Sequence, residues 1–569
     1  MTQKLLYFVF LCALTSSVCM GGIRDNGKFG TDSVVTETDD NAAWVPGLRS
    51  HLACANTVFA IPGKPFMHKI RVPENESQTA HAVVPVKTGV RRVYNLPEGL
   101  TWNVGRCLVE GIAPAAGDYM YSVEFEVGDS IYQEGIKLHV SDSLSSPTPM
   151  MGWQSWNVLK NNISDEIIRK QADRFVSLGL REAGYRYIGI DDCWQVKYGR
   201  DPQTGRQIPD PKLFPDGMKA VTDYIHGLGL KAGIYSDCGT VTCEGYEASF
   251  DHEATDAKAY ADWGFDMLKE DWFWDGHGVP DGFSPDSNEG AYTLYKRMGD
   301  GIIAGGRDII LYMCEWGIHD PWKWAPEVGA SCWRMSYDAR DGWWGETAGS
   351  RNNDNNANGI GVHNTIVLMR NLWPYVGINR FNDADMLCVG IRGTGQSSND
   401  CVYGVRHIGD AYYTGDSSER KIYTGMNDVE YETNFAMWCM YGSPLLLSID
   451  MCRNDLNPHD LALMKNSELI AINQDSLGQG AEYIKSDGNL DYYQKDLADG
   501  DVAIAVVNLG DSDCIYSITI EDYDALIPTE SYNVRDLIRR KNAGVFTASA
   551  PLTGNVSAHG TYIIRLTKR

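Results

Sequence analysis

Residues 185–271 contain three short apolar runs that each end in acidic residues, and this pattern determines the predicted fold class. These runs are YRYIGIDD (185–192), LKAGIYSD (230–237) and FDMLKED (265–271). Upstream of them, residues 164–180 carry apolar residues at helical spacing, with two acids in the first turn. Strands that alternate with helices indicate βα units, which build a parallel sheet.

The same alternation continues on both sides of this stretch. The further apolar runs are MMGWQSW (150–156), IILYMCE (309–315), SCWRMSYD (331–338), PLLLSID (444–450) and, more weakly, WPYVGI (373–378). Eight strands that alternate with helices predict an α/β fold, a (β/α)₈ TIM barrel over residues 147–470. Within this span, residues 391–425 are polar and are predicted to form a long loop or insertion on the barrel face.

The sequence on either side of the barrel shows no helical period. In residues 40–143, runs such as GDYMYSVEFEVGD (117–129) alternate apolar and polar residues, which predicts a small β-sandwich. Residues 96–127 resemble bacterial immunoglobulin-like repeats, so we expect an Ig-like module there. Short strand patterns return after the barrel and predict a C-terminal antiparallel β-sandwich over residues 478–569.

Composition excludes several classes of protein. The 569 residues are 43% hydrophobic and 22% charged, which is typical of a globular chain with a large core. With 50 Lys and Arg against 75 Asp and Glu, the net charge of −25 disfavours nucleic acid or an anionic membrane as a partner. Aromatic residues, including 16 tryptophans, make up 11%, which fits either a sugar-binding enzyme or an aromatic-rich core.

The N-terminus has the pattern of a secretory signal peptide. Within residues 1–20, Lys4 precedes the apolar run 5–14 and the small residues 15–17. The run is too short to span a bilayer, and no other stretch is long and apolar enough to do so. We therefore expect an exported protein, whether periplasmic, surface-attached or secreted. A lipid anchor on Cys19 stays open, because the residues before it lack the usual apolar lead-in.

Fourteen cysteines are present, of which two belong to the predicted signal peptide. None of the others has the paired CxxC spacing of a zinc site. Export permits disulfides, and the close pairs Cys238/Cys243 and Cys388/Cys401 are candidates. The alternative, mostly free and buried cysteines, is equally compatible with the sequence.

The predicted barrel strands end in charged or aromatic residues. In a TIM barrel these ends converge on the C-terminal mouth, where active sites lie. A single aspartate at such a position is more simply a strand end or a helix N-cap, but six consecutive strands of this kind predict a pocket. The residues concerned are Trp153, Trp156, Asp191, Asp192, Trp194, Tyr235, Asp237, Lys269, Glu270, Asp271, Trp272, Glu315, Trp316, Arg334, Asp338, Asn382, Asp383 and Asp385.

Carboxylates and indoles with only one or two cations suit a neutral polyol, because carboxylates accept hydrogen bonds from hydroxyls and indoles cover apolar ring faces. Two carboxylates can also divide glycoside cleavage between a nucleophile and an acid/base. Asp271 is the nucleophile candidate, since Lys269 shares its strand face and should help to keep it ionised. Asp338, four residues beyond Arg334, suits the acid/base role.

Metals and nucleotide cofactors are the main competing use of such a pocket. The few barrel histidines form no HxH or HExxH arrangement, and the glycine runs lack GxGxxG spacing. We therefore expect no metal ion and no cofactor.

Six motifs in this region occur in the order of a known family. They are PMMGWQSWN (149–157), YIGIDDCWQ (187–195), PDPKLFPDGMKAVTDYIHGLGLKAGIYSD (209–237), WGFDMLKEDW (263–272), LYMCEWG (311–317) and RFNDADML (380–387). Residues 148–470 thereby resemble glycoside hydrolase family 27, the α-galactosidases and α-N-acetylgalactosaminidases. The resemblance implies a retaining exo-glycosidase that releases terminal α-D-galactose from an oligosaccharide, polysaccharide or glycoconjugate.

The resemblance also implies a role for each matching residue. It makes Asp271 the nucleophile and Asp338 the acid/base. The implied sugar contacts are Asp191 and Asp192 to O4 and O6, Lys269 to O3 and O4, Trp156 and Tyr235 as aromatic walls, Arg334 beside O2, and Glu315 with Ile318 as readers of the C2 substituent.

Three of these residues bear on the sugar. Glu315 and Ile318 favour a C2 hydroxyl over an N-acetyl group, and Asp192 favours a hexose, since family members that cut β-L-arabinopyranosides tend to replace this acid. A β-L-arabinopyranosidase and an α-N-acetylgalactosaminidase stay open as alternatives, as does, more distantly, a non-catalytic glycan-binding protein. The oligomeric state is also left open.

The sequence departs from the family at two cysteine positions. The turn after the first strand is NVLKNN (157–162), so Cys193 lacks its usual partner. Trp272 and Phe273 replace the cysteine usual after the nucleophile, so Cys243 lacks its partner too. We expect the bulky Trp272 to contact the substrate and to reshape the leaving-group side of the site.

Overall fold

The computed structural model describes residues 34–36, 46–73, 76–79, 82–85, 88–272, 278–284, 286–344, 360–393, 411–413, 420–422 and 425–569. The predicted signal peptide, Phe273, Cys401 and most of the predicted loop 391–425 lie outside the described residues. Within the described ranges, the structure contains no helix with the length and apolar character that crossing a membrane requires.

The N-terminal strands form two main sheets around one core. One sheet has the order β1-β10-β9-β6 with β2 also paired to β10, the other is β3-β8-β7, and β4 pairs with β5. Along β9, Tyr121, Val123 and Phe125 are fully buried and their neighbours are not, as the alternating sequence predicts. The strands are β1 (Val34–Thr36), β2 (Thr57–Ala60), β3 (Pro65–Lys69), β4 (Glu76–Thr79), β5 (Ala82–Pro85), β6 (Thr88–Tyr94), β7 (Leu100–Asn103), β8 (Leu108–Ile112), β9 (Gly117–Val127) and β10 (Ser130–Val140).

Eight parallel strands form the central barrel, which confirms the predicted fold class. Seven follow one another in the sheet: β11 (Met151–Gln154), β12 (Tyr187–Gly189), β13 (Lys231–Asp237), β14 (Met267–Asp271), β15 (Ile310–Cys314), β16 (Ala330–Arg334) and β17 (Phe381–Asp383). A separate antiparallel pair, β18 (Ala411–Tyr413) and β19 (Arg420–Ile422), precedes the eighth strand, β20 (Leu445–Leu447). The ring closes because β20 pairs with β11, and Leu387, just beyond β17, bridges to Leu447.

The seventh strand lies later in the chain than the sequence suggested. WPYVGI (373–378) was the weakest of the predicted strands, and Trp373–Tyr375 forms a 3₁₀ turn instead. Pro374 has no backbone N–H, so it is unable to donate in the middle of a parallel sheet. Strand β17 starts three residues after this run, at Phe381.

Helices cover the outside of the barrel. Helix α2 starts where predicted, with the Ser164 hydroxyl accepting a hydrogen bond from the backbone N–H of Ile167, and buries Ile168, Ala172 and Phe175. The helices are α1 (Trp156–Leu159), α2 (Asp165–Ser177), α3 (Gly217–Gly227), α4 (Glu253–Trp263), α5 (Asn288–Gly305), α6 (Val362–Met369), α7 (Asp428–Tyr441), α8 (Pro458–Met464) and α9 (Ser467–Asn473).

A C-terminal β-sandwich follows the barrel. Its larger sheet has the order β21-β22-β23-β28-β25-β26, and β24 pairs with β27. The strands are β21 (Glu482–Asp487), β22 (Leu490–Asp496), β23 (Val502–Asn508), β24 (Cys514–Ile518), β25 (Ser531–Asp536), β26 (Lys541–Thr547), β27 (Leu552–Val556) and β28 (Thr561–Lys568).

The N-terminal strands contact the barrel at the end opposite its mouth. Trp322 and Tyr375, which precede β16 and β17, pack against the core of the N-terminal sheets. Lys69 on β3 forms ion pairs with Glu482 and Asp524 of the C-terminal sandwich. In the part of the chain that the structure describes, these contacts join the N-terminal module to segments that precede β16 and β17 and to the C-terminal sandwich.

Candidate active site

A cavity of about 180 Å³ opens at the carboxyl ends of the barrel strands. Pockets for drug-sized ligands measure roughly 300–1,000 Å³, so this cavity suits a single sugar-sized ring. Its walls combine carboxylates, aromatic rings and one amine. The lining residues are Trp156, Asp191, Asp192, Tyr235, Cys243, Lys269, Asp271, Cys314, Trp316, Tyr337, Asp338 and Met386.

Asp271 is held at the end of β14 by two donors. The register of β13 and β14 pairs Tyr235 with Lys269, so their side chains and that of Asp271 point to the same inner face. The Tyr235 hydroxyl donates to Asp271 Oδ2 at 2.8 Å, and the backbone N–H of Trp272 donates to Oδ1 at 2.9 Å. These bonds fix the orientation of the carboxylate before a ligand arrives.

Lys269 is the amine of the cavity and is compensated by a buried acid. Its Nζ lies 2.9 Å from Asp191 Oδ2 and 5.3 Å from the ring centre of Tyr235. Both side chains of the ion pair are almost fully buried, at 5% and 2% exposed. The pair therefore places a cation and an acceptor side by side at the cavity wall, which suits adjacent hydroxyl groups of a ligand.

Burial raises the pKa of Asp271 to about 6, although Lys269 and the two hydrogen bonds oppose this shift. Lys269 thus favours the ionised form as expected, but loss of solvent outweighs it. The carboxyl group changes charge just below neutral pH.

Asp338 lies in the loop after β16 and faces a cluster of cations. Burial favours its neutral form, but Arg334, Arg340 and Lys269 together outweigh burial and lower the pKa of Asp338. Arg334 Nη2 is 3.1 Å from Asp338 Oδ1 and 2.9 Å from Asp385 Oδ2, so one guanidinium holds two carboxylates. The Asp338 side chain is 40% exposed, towards the cavity.

Asp192 completes the polar wall beside Asp191. Its carboxylate accepts hydrogen bonds from the backbone N–H groups of Cys193 at 2.7 Å and Glu244 at 3.3 Å. Burial, helped by the neighbouring Asp191, raises the pKa of Asp192 to about 7. In mildly acidic solution its side chain therefore has a proton to donate to a ligand oxygen.

Comparisons with known proteins agree with this geometry. A family model described as α-galactosidase A matches residues 148–404, and a model of the α-galactosidase C-terminal β-sandwich domain matches residues 487–566. The α-galactosidase A of Cellvibrio japonicus is 33% identical over 431 residues, which cover 74% of this chain and 92% of that protein. The chain belongs to the α-galactosidase family, glycoside hydrolase family 27.

Solved structures extend the likeness to this family. α-Galactosidase I from Mortierella vinacea matches with a TM-score of 0.64 and 30% identity over 75% of this chain and 98% of that one. A candidate α-galactosidase/melibiase from Bacteroides fragilis matches with a TM-score of 0.63 and 30% identity over 90% of this chain and 96% of that one. The second match therefore reaches into the N-terminal strands.

Four residues predicted to contact the sugar lie outside the cavity lining. Trp272 is 1% exposed and stacks on Tyr295 with ring centres 6.0 Å apart, because side chains alternate along a strand and Asp271 takes the inner face. Arg334 is also 1% exposed and acts on Asp338 instead. The structure thus places both side chains outside the cavity lining, and their contacts with substrate stay predictions.

The other two residues outside the lining belong to the loop after β15. Glu315 has no exposed surface, and its carboxylate accepts hydrogen bonds from the backbone N–H groups of Gly317 at 3.1 Å and His319 at 2.9 Å. Ile318 is 40% exposed but does not line the cavity. The Glu315 carboxylate therefore stabilises its own loop, and the contact of Glu315 and Ile318 with a C2 substituent stays a prediction.

Sequence reasoning gave no role to five lining residues. Trp316 and Tyr337 stack with ring centres 5.6 Å apart at 23° and form one wall. Trp316 follows β15, so its place among the strand-end residues was a usable signal. Cys243, Cys314 and Met386 also line the cavity, but neither periodicity nor charge marks them out in the sequence.

The candidate pair Cys238/Cys243 is not bonded in the structure, where both residues keep their thiols. The Sγ of Cys243 lies 3.9 Å from Asp271 Oδ2, beside the cavity. Cys193 is free as well, in line with the missing family partners of both residues. Cys388 is free, and its candidate partner Cys401 lies outside the described residues.

Several acids around the barrel mouth keep protons to unusually high pH. Burial raises the pKa of Asp192 and Asp383 to about 7 and that of Asp237 and Glu270 well above the usual range. In the unfolded chain these groups are ionised above about pH 4. The folded state therefore binds more protons than the unfolded state, and stability must fall as pH rises.

Each proton that only the folded state retains lowers the free energy of unfolding by about 1.4 kcal/mol per pH unit. We therefore expect the apparent melting temperature to fall by about 5 °C from pH 6.5 to 8.5. Burial lowers the pKa values of His68 and His363 to about 3 and about 4, so these residues make stability rise with pH below about pH 6.5. The chosen pH range lies above that region. Differential scanning calorimetry measures the shift. Glu270→Gln should flatten the slope, and a melting temperature that rises across the window would contradict the assignment.

Proposed function

We propose that the chain hydrolyses terminal non-reducing α-D-galactosides as a retaining exo-glycosidase. The observation that carries this proposal is that Asp271 and Asp338 line the same small cavity of a family 27 barrel. Asp271 is fixed by Tyr235 and by a backbone N–H, whereas Asp338 is held by Arg334. One carboxylate is thus oriented for attack, and the other is exposed towards the leaving group.

The cavity wall supports galactose as the terminal residue. Asp191, Lys269 and Asp192 offer an acceptor, a cationic donor and a protonable acid next to one another, as O3, O4 and O6 of the sugar require. Trp156 supplies an aromatic wall. The space for a single ring favours cleavage at a chain end over cleavage within a chain.

The reaction follows as a double displacement. Asp338 donates its proton to the glycosidic oxygen while Asp271 attacks C1, and the leaving group departs with that proton. Asp338, now ionised, takes a proton from water, and the water oxygen attacks C1 and frees Asp271. Configuration at C1 is inverted twice and is therefore retained.

The pH dependence follows from the two carboxyl groups. Catalysis needs one of the two carboxyl groups protonated and the other ionised. The pair loses its last proton with a pKa of about 6, which the burial of Asp271 sets. We expect kcat/KM for an aryl α-D-galactoside to be highest at acidic pH and to fall about tenfold per pH unit well above pH 6. A pH profile measures this, and a rate that stays flat to pH 8 would exclude the pair as assigned.

A panel of aryl glycosides tests the proposed function. The α-D-galactoside should be cleaved faster than the α-N-acetylgalactosaminide and the β-L-arabinopyranoside, and NMR should detect α-galactose as the first product. Faster cleavage of either analogue would reassign the sugar, and β-galactose as first product would reassign the mechanism. Sugar binding without hydrolysis would point to the non-catalytic alternative.

Asp192 gives a sharper test of the hexose. Asp192→Leu should lower kcat/KM for the α-D-galactoside about 10- to 100-fold, the loss expected when a hydroxyl enclosed in the site is left without its hydrogen-bond partner. The β-L-arabinopyranoside lacks C6, so its cleavage should change much less. Equal losses on both substrates would show that Asp192 does not contact O6.

We propose in addition that the protein is exported. The charged, apolar and small-residue pattern of residues 1–20 supports this. N-terminal sequencing of the mature protein from its own cell tests it, and an intact Met1 in the mature chain would refute cleavage.

A further inference from the structure

A second cavity lies between helix α7 and the C-terminal sandwich. At about 250 Å³ it is larger than the catalytic cavity. Six side chains provide most of its charged, amide and aromatic groups: Glu432, Tyr516, Arg539, Lys541, Asn555 and Tyr562. None of these residues takes part in the catalytic cavity, so the second cavity needs its own explanation.

One wall of this cavity is a pair of stacked tyrosines. The rings of Tyr516 and Tyr562 have centres 4.8 Å apart at an angle of 20°. Tyr516 lies tightly over the backbone of Gly554, where any Cβ would come within 2.5 Å of its hydroxyl oxygen. Tyr516 is only 5% exposed and thus backs Tyr562, whose partly exposed ring offers a fixed aromatic surface to a ligand.

The positive and negative side chains of the cavity are equal in number. Arg539 Nη1 lies 2.8 and 2.9 Å from the two carboxylate oxygens of Glu432, and the backbone N–H of Arg539 donates to Asp536 at 2.8 Å. Lys541 adds a second cation and Asn555 an amide. Two acids against two bases favour an uncharged ligand rich in hydroxyl groups over an anion.

The second cavity lies on the same face of the barrel as the catalytic one. Helix α7 follows β17 in the βα order, so its N-terminal end, with Val429 in the first turn and Glu432 in the second, starts at the catalytic face. The loop that carries Asp338 continues to Trp343, whose ring stacks on His559 of the sandwich at 4.4 Å and 14°. His559 precedes Gly560, which lines the second cavity.

We propose that this cavity is a second carbohydrate site that binds a neutral hexopyranose residue of the same oligosaccharide or polysaccharide whose end enters the barrel. A fixed aromatic surface surrounded by hydrogen-bonding groups repeats the chemistry of the catalytic cavity. A surface shared with the Asp338 loop lets one carbohydrate chain reach both sites.

Binding of sugars to the full-length protein tests the site directly. Isothermal titration would use methyl β-D-galactopyranoside, methyl α-D-mannopyranoside, methyl β-D-glucopyranoside and sodium glucuronate, each alone. We expect at least one neutral glycoside to bind with a Kd in the millimolar range, and Tyr562→Ala and Asn555→Ala to weaken that binding about tenfold or more. Asn533→Ala, an exposed asparagine on β25 of the same sandwich, is the matched control.

A kinetic comparison separates this site from catalysis. The variants Tyr562→Ala and Asn555→Ala should leave kcat and KM for an aryl α-D-galactoside within about twofold, and lower kcat/KM for a galactose-branched polysaccharide about fivefold or more. If the wild type hydrolyses neither substrate, the proposed function fails. The titrations alone then decide whether the second cavity binds a sugar. If Tyr562→Ala fails to fold by circular dichroism, Asn555→Ala carries the test.

Two results would overturn the second site. One is that every neutral glycoside binds wild type, Tyr562→Ala and Asn555→Ala equally, which would place all binding in the barrel. The other is that glucuronate alone depends on these residues, which would make the cavity an anion site.

Discussion

Asp271→Asn removes glycoside hydrolysis almost completely, with kcat/KM for an aryl α-D-galactoside falling roughly 10⁵-fold or more, as for loss of a nucleophile elsewhere. The amide keeps the shape of the side chain and can still accept a hydrogen bond from Tyr235, whose hydroxyl now donates to Oδ2 at 2.8 Å. What it loses is the negative charge and the nucleophilic oxygen. Steady-state kinetics on purified protein measures the loss.

The neighbouring Glu270 provides a matched control. It precedes Asp271 on β14, but it points away from the cavity and is fully buried. Burial raises the pKa of Glu270 well above its usual range, so it is neutral at working pH and glutamine replaces it without a change in charge. Glu270→Gln should keep activity within about fivefold.

Two outcomes would contradict the role of Asp271. Activity of Asp271→Asn within tenfold of wild type would show that the attack comes from another group. An equal loss in Glu270→Gln would show that the strand is merely sensitive to substitution, and that the effect of Asp271→Asn says little about chemistry.

Much of the barrel and of the site could be predicted from strand ends. Apolar runs such as YIGIDD and DMLKED indicate buried parallel strands. In a TIM barrel the carboxyl ends of such strands meet at the active face, which brings Asp191, Lys269 and Asp271 together. These three residues line the cavity as expected. The argument works because it needs only the direction of the strands, which the sequence pattern determines.

The direction of the strands does not determine where side chains in the loops point. Glu315 follows β15 just as Asp271 ends β14, yet its carboxylate turns back to the N–H groups of its own loop. The backbone that places those donors includes Trp316 at a φ of +60°, a conformation that an indole-bearing residue rarely adopts. No periodic signal in the sequence indicates such a turn, so neither the position of Glu315 at a strand end nor the resemblance could show where its carboxylate points.

The charge states also depend on quantities that a sequence does not show. Lys269 at i−2 suggested an ionised Asp271, but the decisive quantity is how completely the barrel excludes water from that carboxylate. Arg334, expected beside O2 of the sugar, forms ion pairs with Asp338 and Asp385 in the structure. Arg334 therefore lowers the proton affinity of the very group that must donate a proton.

Asp338→Ala has the second large effect, and its size depends on the leaving group. For a galactoside with a sugar leaving group, kcat/KM should fall about 10²- to 10⁴-fold, because the departing oxygen then leaves without a proton. For a dinitrophenyl α-D-galactoside, whose leaving group needs no proton, formation of the galactosyl-enzyme should stay fast while its hydrolysis slows. A burst of dinitrophenol followed by slow turnover, with a lowered KM, is the expected signature in stopped-flow kinetics.

Azide discriminates the two carboxylates by the configuration of its product. In Asp338→Ala, azide needs no general base and attacks the galactosyl-Asp271 intermediate from the face that water uses, so turnover recovers and α-galactosyl azide forms. In Asp271→Gly, azide enters the space left by the nucleophile and attacks the substrate itself, so a single displacement gives β-galactosyl azide. The reverse pairing of products, read by NMR, would exchange the roles of Asp271 and Asp338. Recovery in neither variant would remove both from the reaction, even though they share one cavity.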